Sequence, residues 1–231
     1  QYEHTKAWSY IWDWMRGARR EFVDSDSDTD KLISHLNGGD PETGLNAIYE
    51  LASMGPRAVD PLTQNLLVHT DRPLERYKKD TRKRASDEVR PREWNEGAFA
   101  LQDEAYALGA IGVPAIDALV TLLQHEDPWI KVNAAFALGE VGPCAGVAMS
   151  ALAGQLKDEH HQVVRAVLDA IGCIGVDASI ALPAIRRLLL EDNPAWQEKL
   201  MRGWTGESQV RFNAMCALLN SDIPVTDIED L

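Results

Sequence analysis

Between Trp94 and Gly142 the same order of small, apolar and open positions occurs twice. The phrase A-x-A-L-G-x-[IV]-G reads AYALGAIG from Ala105 and, 30 residues later, AFALGEVG from Ala135. A third copy, LDAIGCIG, starts at Leu168, and a blurred fourth, IYELASMG, starts at Ile48. A fixed period of this length predicts stacked supersecondary units in which each unit buries its apolar face on the next. Asp40-Pro41, Asp127-Pro128 and Asn193-Pro194 fall in register with the phrase. An Asp or Asn cap followed by Pro at the first helical position is a start signal, so each pair is expected to open the first helix of a unit. That helix is expected to end at Gly55, Gly112, Gly142 or Gly175, with Pro56, Pro114 and Pro143 turning the chain. The stretches RAVDPLTQNLL, PAIDALVTLLQ, VAMSALAGQL and PAIRRLLLE then read as the second helices.

Outside the repeats, Trp8, Ile11, Trp12 and Met15 share one helical face. They predict an N-terminal helix that caps the open end of the core, since terminal units must cover what has no neighbour. The DSDSDTD run from Asp24 lacks the Gly and Glu of a calcium loop, because Thr29 and His35 stand there. It reads as a linker ending in a helix cap. The expected organisation is a Trp-rich cap and acidic linker over 1–30, a solenoid over 31–220 and an acidic tail over 221–231. Two stretches interrupt the period, one at about 71–96 and one at 195–208.

These phrases resemble the HEAT-repeat family, and more narrowly its short repeats of the phycobilisome-lyase type. The resemblance covers about 31–220 and is strongest over 97–190, in DPWIKVNAAFALGEVG and GVPAIDALVTLLQHED. It implies an all-α fold, an α-solenoid of about five helical hairpins with an N-terminal capping helix. On activity it implies little, because the family includes scaffolds, chromophore-lyase subunits, DNA glycosylases and a metal hydroxylase. Similar arrays also resemble tails that follow phytanoyl-CoA-dioxygenase-like domains in bacterial proteins.

Charge narrows these possibilities. A formal net charge of −13 argues against nucleic acid, whose affinity comes from Lys and Arg on phosphates. No run of about 18 apolar residues predicts a membrane span, and the N-terminal residues lack a signal-peptide pattern. The three cysteines, Cys144, Cys173 and Cys216, show no motif spacing and are expected in the core of a reduced cytoplasmic protein.

Catalytic chemistry finds no foothold. The di-iron hydroxylases of this fold carry His-Glu pairs in their first helices, but the matching positions hold Gln102-Asp103, Val132-Asn133, Arg165-Ala166 and Phe212-Asn213. His69-Thr70-Asp71 matches half of an iron triad that normally sits on strands, and no strand pattern accompanies it. No catalytic residue, metal ligand or cofactor is therefore assigned. The binding candidates are the basic run Arg76, Lys78, Lys79, Arg82, Lys83 and Arg84, inside the first interruption, together with Trp129 and Trp196. The expectation is a protein-binding scaffold whose partner is neither nucleic acid nor membrane. A chromophore lyase subunit, or the accessory region of a larger bacterial enzyme, stands as the alternative.

Overall fold

Asp28 accepts hydrogen bonds from the backbone of Asp30 and Lys31 and so opens α1, Thr29–His35, the cap that the acidic run predicts. The computed structural model describes residues 28–36, 41–69, 101–176, 178–197 and 205–221. The Trp-rich helix, the basic run and the acidic tail lie outside the described residues. From α1 the chain continues through α2 (Pro41–Met54), α3 (Pro56–His69), α4 (Asp103–Ile111), α5 (Ile116–Leu122), α6 (Pro128–Val141) and α7 (Met149–Gln155). It ends in α8 (His161–Ile174), α9 (Leu182–Leu190) and α10 (Gly206–Asn220). Every regular element among the described residues is an α-helix or a short 3-10 turn.

The repeat grammar is realised at its glycines. Gly55, Gly112, Gly142 and Gly175 all take positive φ, between 60° and 81°, where a Cβ would be strained. Behind them Pro56 starts α3 directly, while Pro114 and Pro143 lie in 3-10 turns that lead into α5 and α7. At the other end of the unit, Asp127 caps α6 by accepting from the Trp129 amide. Asn193 departs from the expectation. Its side chain accepts from the Ala195 amide, but the pair opens only the 3-10 turn Pro194–Trp196. The fifth first helix begins later, at Gly206, behind a reciprocal Thr205–Ser208 capping box.

Each hairpin stacks on the next through its first helix. The α2, α4, α6, α8 and α10 helices form one continuous row, whereas the second helices touch one another sparingly. In a stack of hairpins the tighter layer lies inside the curve, so the first helices form the inner layer. Small residues allow their close approach: a Cβ placed on Gly109 would lie 2.8 Å from the Glu140 Cβ. Between the layers runs a core of Leu108, Leu119, Leu138, Leu152, Leu168 and Ile171, all fully buried. Burial of each such side chain contributes about 1.5–3 kcal/mol.

One expectation from composition needs amendment. Pro128–Gln155, taken through its 3-10 turn, spans 28 residues and contains an 18-residue window with a mean hydropathy of 1.4, enough to cross a bilayer by length and composition alone. Half of that window is buried within the array, where its apolar residues pack on α4, α5 and α8.

Candidate functional site: the inner face of the first-helix row

On α6 the helical period sorts the side chains into four sets. Val132, Ala135 and Gly139 face forward to α8, and Asn133 and Ala137 face back to α4. Ala134 and Leu138 enter the core. What remains is Trp129, Phe136 and Glu140, one stripe spaced i, i+7 and i+11. These residues are partly open on the inner layer, and the repeat carries the same positions to Tyr49 and Ser53, Tyr106 and the buried Ala110, Asp169 and Cys173, and Cys216 and Asn220.

The stripe changes character along the array. Tyr49 is 52% exposed, and Tyr106 meets Phe136 edge to face with ring centroids 4.8 Å apart. With Trp129 these rings make the early half of the face aromatic. The later half is polar. Arg165 donates to the Gln209 side chain at 2.7 Å, and Asn213 donates to Asp169. Desolvation pushes the Arg165 guanidinium below its ordinary pKa, against the opposing pull of Asp169. Desolvation likewise raises the Asp169 carboxyl, although the Asn213 hydrogen bond and the charge of Arg165 work the other way.

Below the face, polar ties fix the spacing of the helices. Asn133 accepts from the Gln102 amide at 2.7 Å and donates to the Trp129 carbonyl at 2.8 Å. Glu104, fully buried, accepts from Asn65 on α3. Asp103, Glu104 and Glu207 are buried acids, and all three sit in the first turn of a helix. There the unsatisfied amides and the positive end of the helix dipole stabilise negative charge. In sequence the pair Asp103-Glu104 offers no shared chemistry, because adjacent residues of a helix point to different faces.

A small cleft opens between the α7–α8 connection, α9 and α10. Its volume is about 240 Å³, and Leu156, Asp158, Arg187, Asn193, Trp196 and Glu207 line it. Its polar groups are largely spent on one another. Arg211 bridges Glu207 at 2.8 Å and Asp192 at 2.7 Å, while Arg187 donates to the Leu156 carbonyl. Burial pushes the Asp158 carboxyl up, but hydrogen bonds from Lys131 at 2.6 Å and from His160 outweigh it and hold the pKa below the ordinary value. This cleft is smaller than most ligand pockets and is braced as a joint between units.

The candidates from sequence separate here. Trp129 lies half-buried on the inner stripe beside Phe136. Trp196 is only 6% exposed, and its indole N–H donates to the Glu159 carbonyl at 2.8 Å, so what it offers is part of the cleft wall. Arg76, Lys78, Lys79, Arg82, Lys83 and Arg84 lie outside the described residues, as do Thr70 and Asp71. Cys144 and Cys173 are exposed and Cys216 is half-buried, which corrects their expected place in the core. Cys173 has this exposure because it occupies an inner-stripe position. Among the described residues, no group of three or more His, Cys, Asp and Glu side chains is placed to hold a metal ion.

Residues 105–172, from α4 into the last turn of α8, match the family of HEAT repeats. This part of the chain is similar to HEAT repeats. No curated protein and no solved structure matched the chain. The HEAT match covers both clear copies of the phrase, and the same packing continues beyond it through α2 and α10.

Proposed function

We propose that the protein is a non-catalytic scaffold that binds a protein partner along the inner face of its HEAT array. The observation that carries this reading is the row of Tyr49, Tyr106, Trp129 and Phe136, large aromatic side chains that stay partly open to solvent although the last three also pack on the core. Aromatic residues concentrate binding energy at protein interfaces, where they bring large area at low entropic cost. The polar half, with Asp169, Asn213 and Asn220, supplies hydrogen-bonding groups to set the partner's register. A net charge of −13 favours a protein partner over nucleic acid, and the reading places the chain in the cytoplasm.

The test is comparative capture with wild type and Tyr49→Asp as baits, because Tyr49 is exposed enough to change without loss of the core. The expected result is a stoichiometric partner held by wild type and released by the variant, with identical circular dichroism. An unchanged set of bound proteins would overturn the inner face as the binding surface.

A further inference from the structure

Successive first helices meet in the same register, so their joints compare residue by residue. Between α6 and α8 the forward face is Val132, Ala135 and Gly139, and a Cβ built on Gly139 would stand 3.1 Å from the Ala170 Cα. Between α8 and α10 the same places hold Arg165, Leu168 and Gly172. The glycine contact is looser there, 3.5 Å to the Ala217 Cα. Where α6 offers Val132, α8 offers a half-buried arginine. Arg165 donates to the neutral Gln209 side chain, and its Nε is buried with no hydrogen-bond partner among the described residues. Asp169, one turn on, takes its hydrogen bond from another neutral side chain of α10, Asn213. Each ion of α8 is thus held across the joint by an amide, and water replaces such a bond at little net cost when the helices part.

The last turn of α10 also brings less to the core. There α6 places Leu138 and Val141, and α8 places Ile171 and Ile174. The matching residues of α10 are Leu218, half-buried, and Ser221, whose buried Oγ has no partner among the described residues. Arg211 adds a further buried donor of this kind, its Nε. A buried polar group left unpaired regains hydration when its surroundings open, so Arg165, Arg211 and Ser221 all favour separation. The first turn of α10 is different. Glu207 accepts from the Asn193 amide and from the Gln197 side chain, and it pairs with Arg211 at 2.8 Å. The turn that it holds is pinned just ahead of α8 by Trp196, whose indole N–H donates to the Glu159 carbonyl at 2.8 Å.

We propose that α10 opens from α8 as one unit, hinged at its first turn on the Glu207 cluster, while α4, α6 and α8 stay packed. Opening uncovers Arg165, Leu168 and Gly172, a face that the rest of the array reserves for the next helix. The polar end of the inner surface therefore has two states, closed and open, set by a joint that is weaker than the one before it. The movement is independent of what the inner face binds.

Hydrogen exchange of the whole chain tests this, with the amides of α10 compared with those of α6 and α8. In wild type the amides from Val210 to Ala217 are expected to share one level of protection, about tenfold or more below that of α8. Fraying alone would instead grade the protection inwards from Asn220. The double variant Arg165→Val, Asp169→Asn gives α8 the residue that α6 has at this place and leaves Asn213 an acceptor. It is expected to slow the exchange of α10 about tenfold and to leave α6 unchanged, because removing buried ions in favour of apolar contact closes the joint. Circular dichroism checks that the variant keeps its fold, and if the fold is lost the wild-type pattern decides the matter alone. Protection of α10 equal to that of α8, graded protection along α10, or a folded double variant that exchanges as fast as wild type would each overturn the proposal.

Discussion

Gly139 packs tightly against Ala170: a Cβ on Gly139 would fall 3.1 Å from the Ala170 Cα, closer than ordinary contact, and 3.5 Å from its Cβ. Gly109 stands in the same relation to Glu140 on the next first helix. At these two points the inner row is set by backbone approaching backbone, which fixes the spacing of the units.

The first prediction contrasts two glycines. In a helix interior Gly→Ala ordinarily gains about 0.8–1 kcal/mol of helix propensity. At Gly139 the overpacking cost of about 1–3 kcal/mol wins, so Gly139→Ala should lower the melting temperature. Gly154, in α7, has no atom within 4 Å of a built Cβ. Gly154→Ala should raise it, and thermal denaturation of the two variants side by side decides the matter.

A second prediction concerns Ala137, fully buried where α6 faces α4. Ala137→Asp places a carboxylate where no partner is available, at a cost of about 3 kcal/mol or more. Urea denaturation should show loss of the cooperative transition or a large drop in its midpoint. An unchanged midpoint would mean that this face of α6 is not the packed one.

The third prediction rests on Asp158, whose pKa is held below the ordinary 3.8. A depressed carboxyl stabilises the fold above its unfolded value, and that contribution disappears as the pH falls through the folded value. Asp158→Asn removes the ion pair with Lys131, at a cost of about 1–3 kcal/mol at neutral pH. Urea titrations at pH 7 and at pH 3 should show the gap between variant and wild type narrowing in acid.

Asp169 predicts the opposite trend. Much of the residue is open to solvent, yet its carboxyl end is hemmed in, and desolvation raises its pKa above 3.8. A raised carboxyl costs stability while ionised, and the cost is relieved as the pH falls towards the unfolded value. Asp169→Asn keeps an acceptor for Asn213 and removes the charge. It should melt above wild type at pH 7, with the difference vanishing in acid.

The phrase made the fold legible. Its closing glycines are the four positive-φ glycines among the described residues, its leucines enter the core, and its period is the repeat of one hairpin. Such features repeat because every unit has the same packing problem. The Asn193-Pro194 signal misled, since a cap and a proline fix one turn only, and the helix behind them needs apolar residues that arrive after Gly206. Trp129 was legible as a candidate, whereas its neighbours Tyr106 and Phe136 were not singled out. They occupy the open position of the phrase, which packing leaves unspecified and where no local rule flags a ring. The exposure of Cys173 escaped for the same reason.

The close contacts along the inner row also have a mechanical consequence. Backbone already at van der Waals contact resists compression, while the second helices, which touch each other sparingly, can separate or approach at little cost. The array therefore bends like a leaf spring whose inner leaf keeps its length. A partner that flattens or tightens the curve does its work on the outer layer, and the aromatic stripe travels with the inner one as a nearly rigid strip.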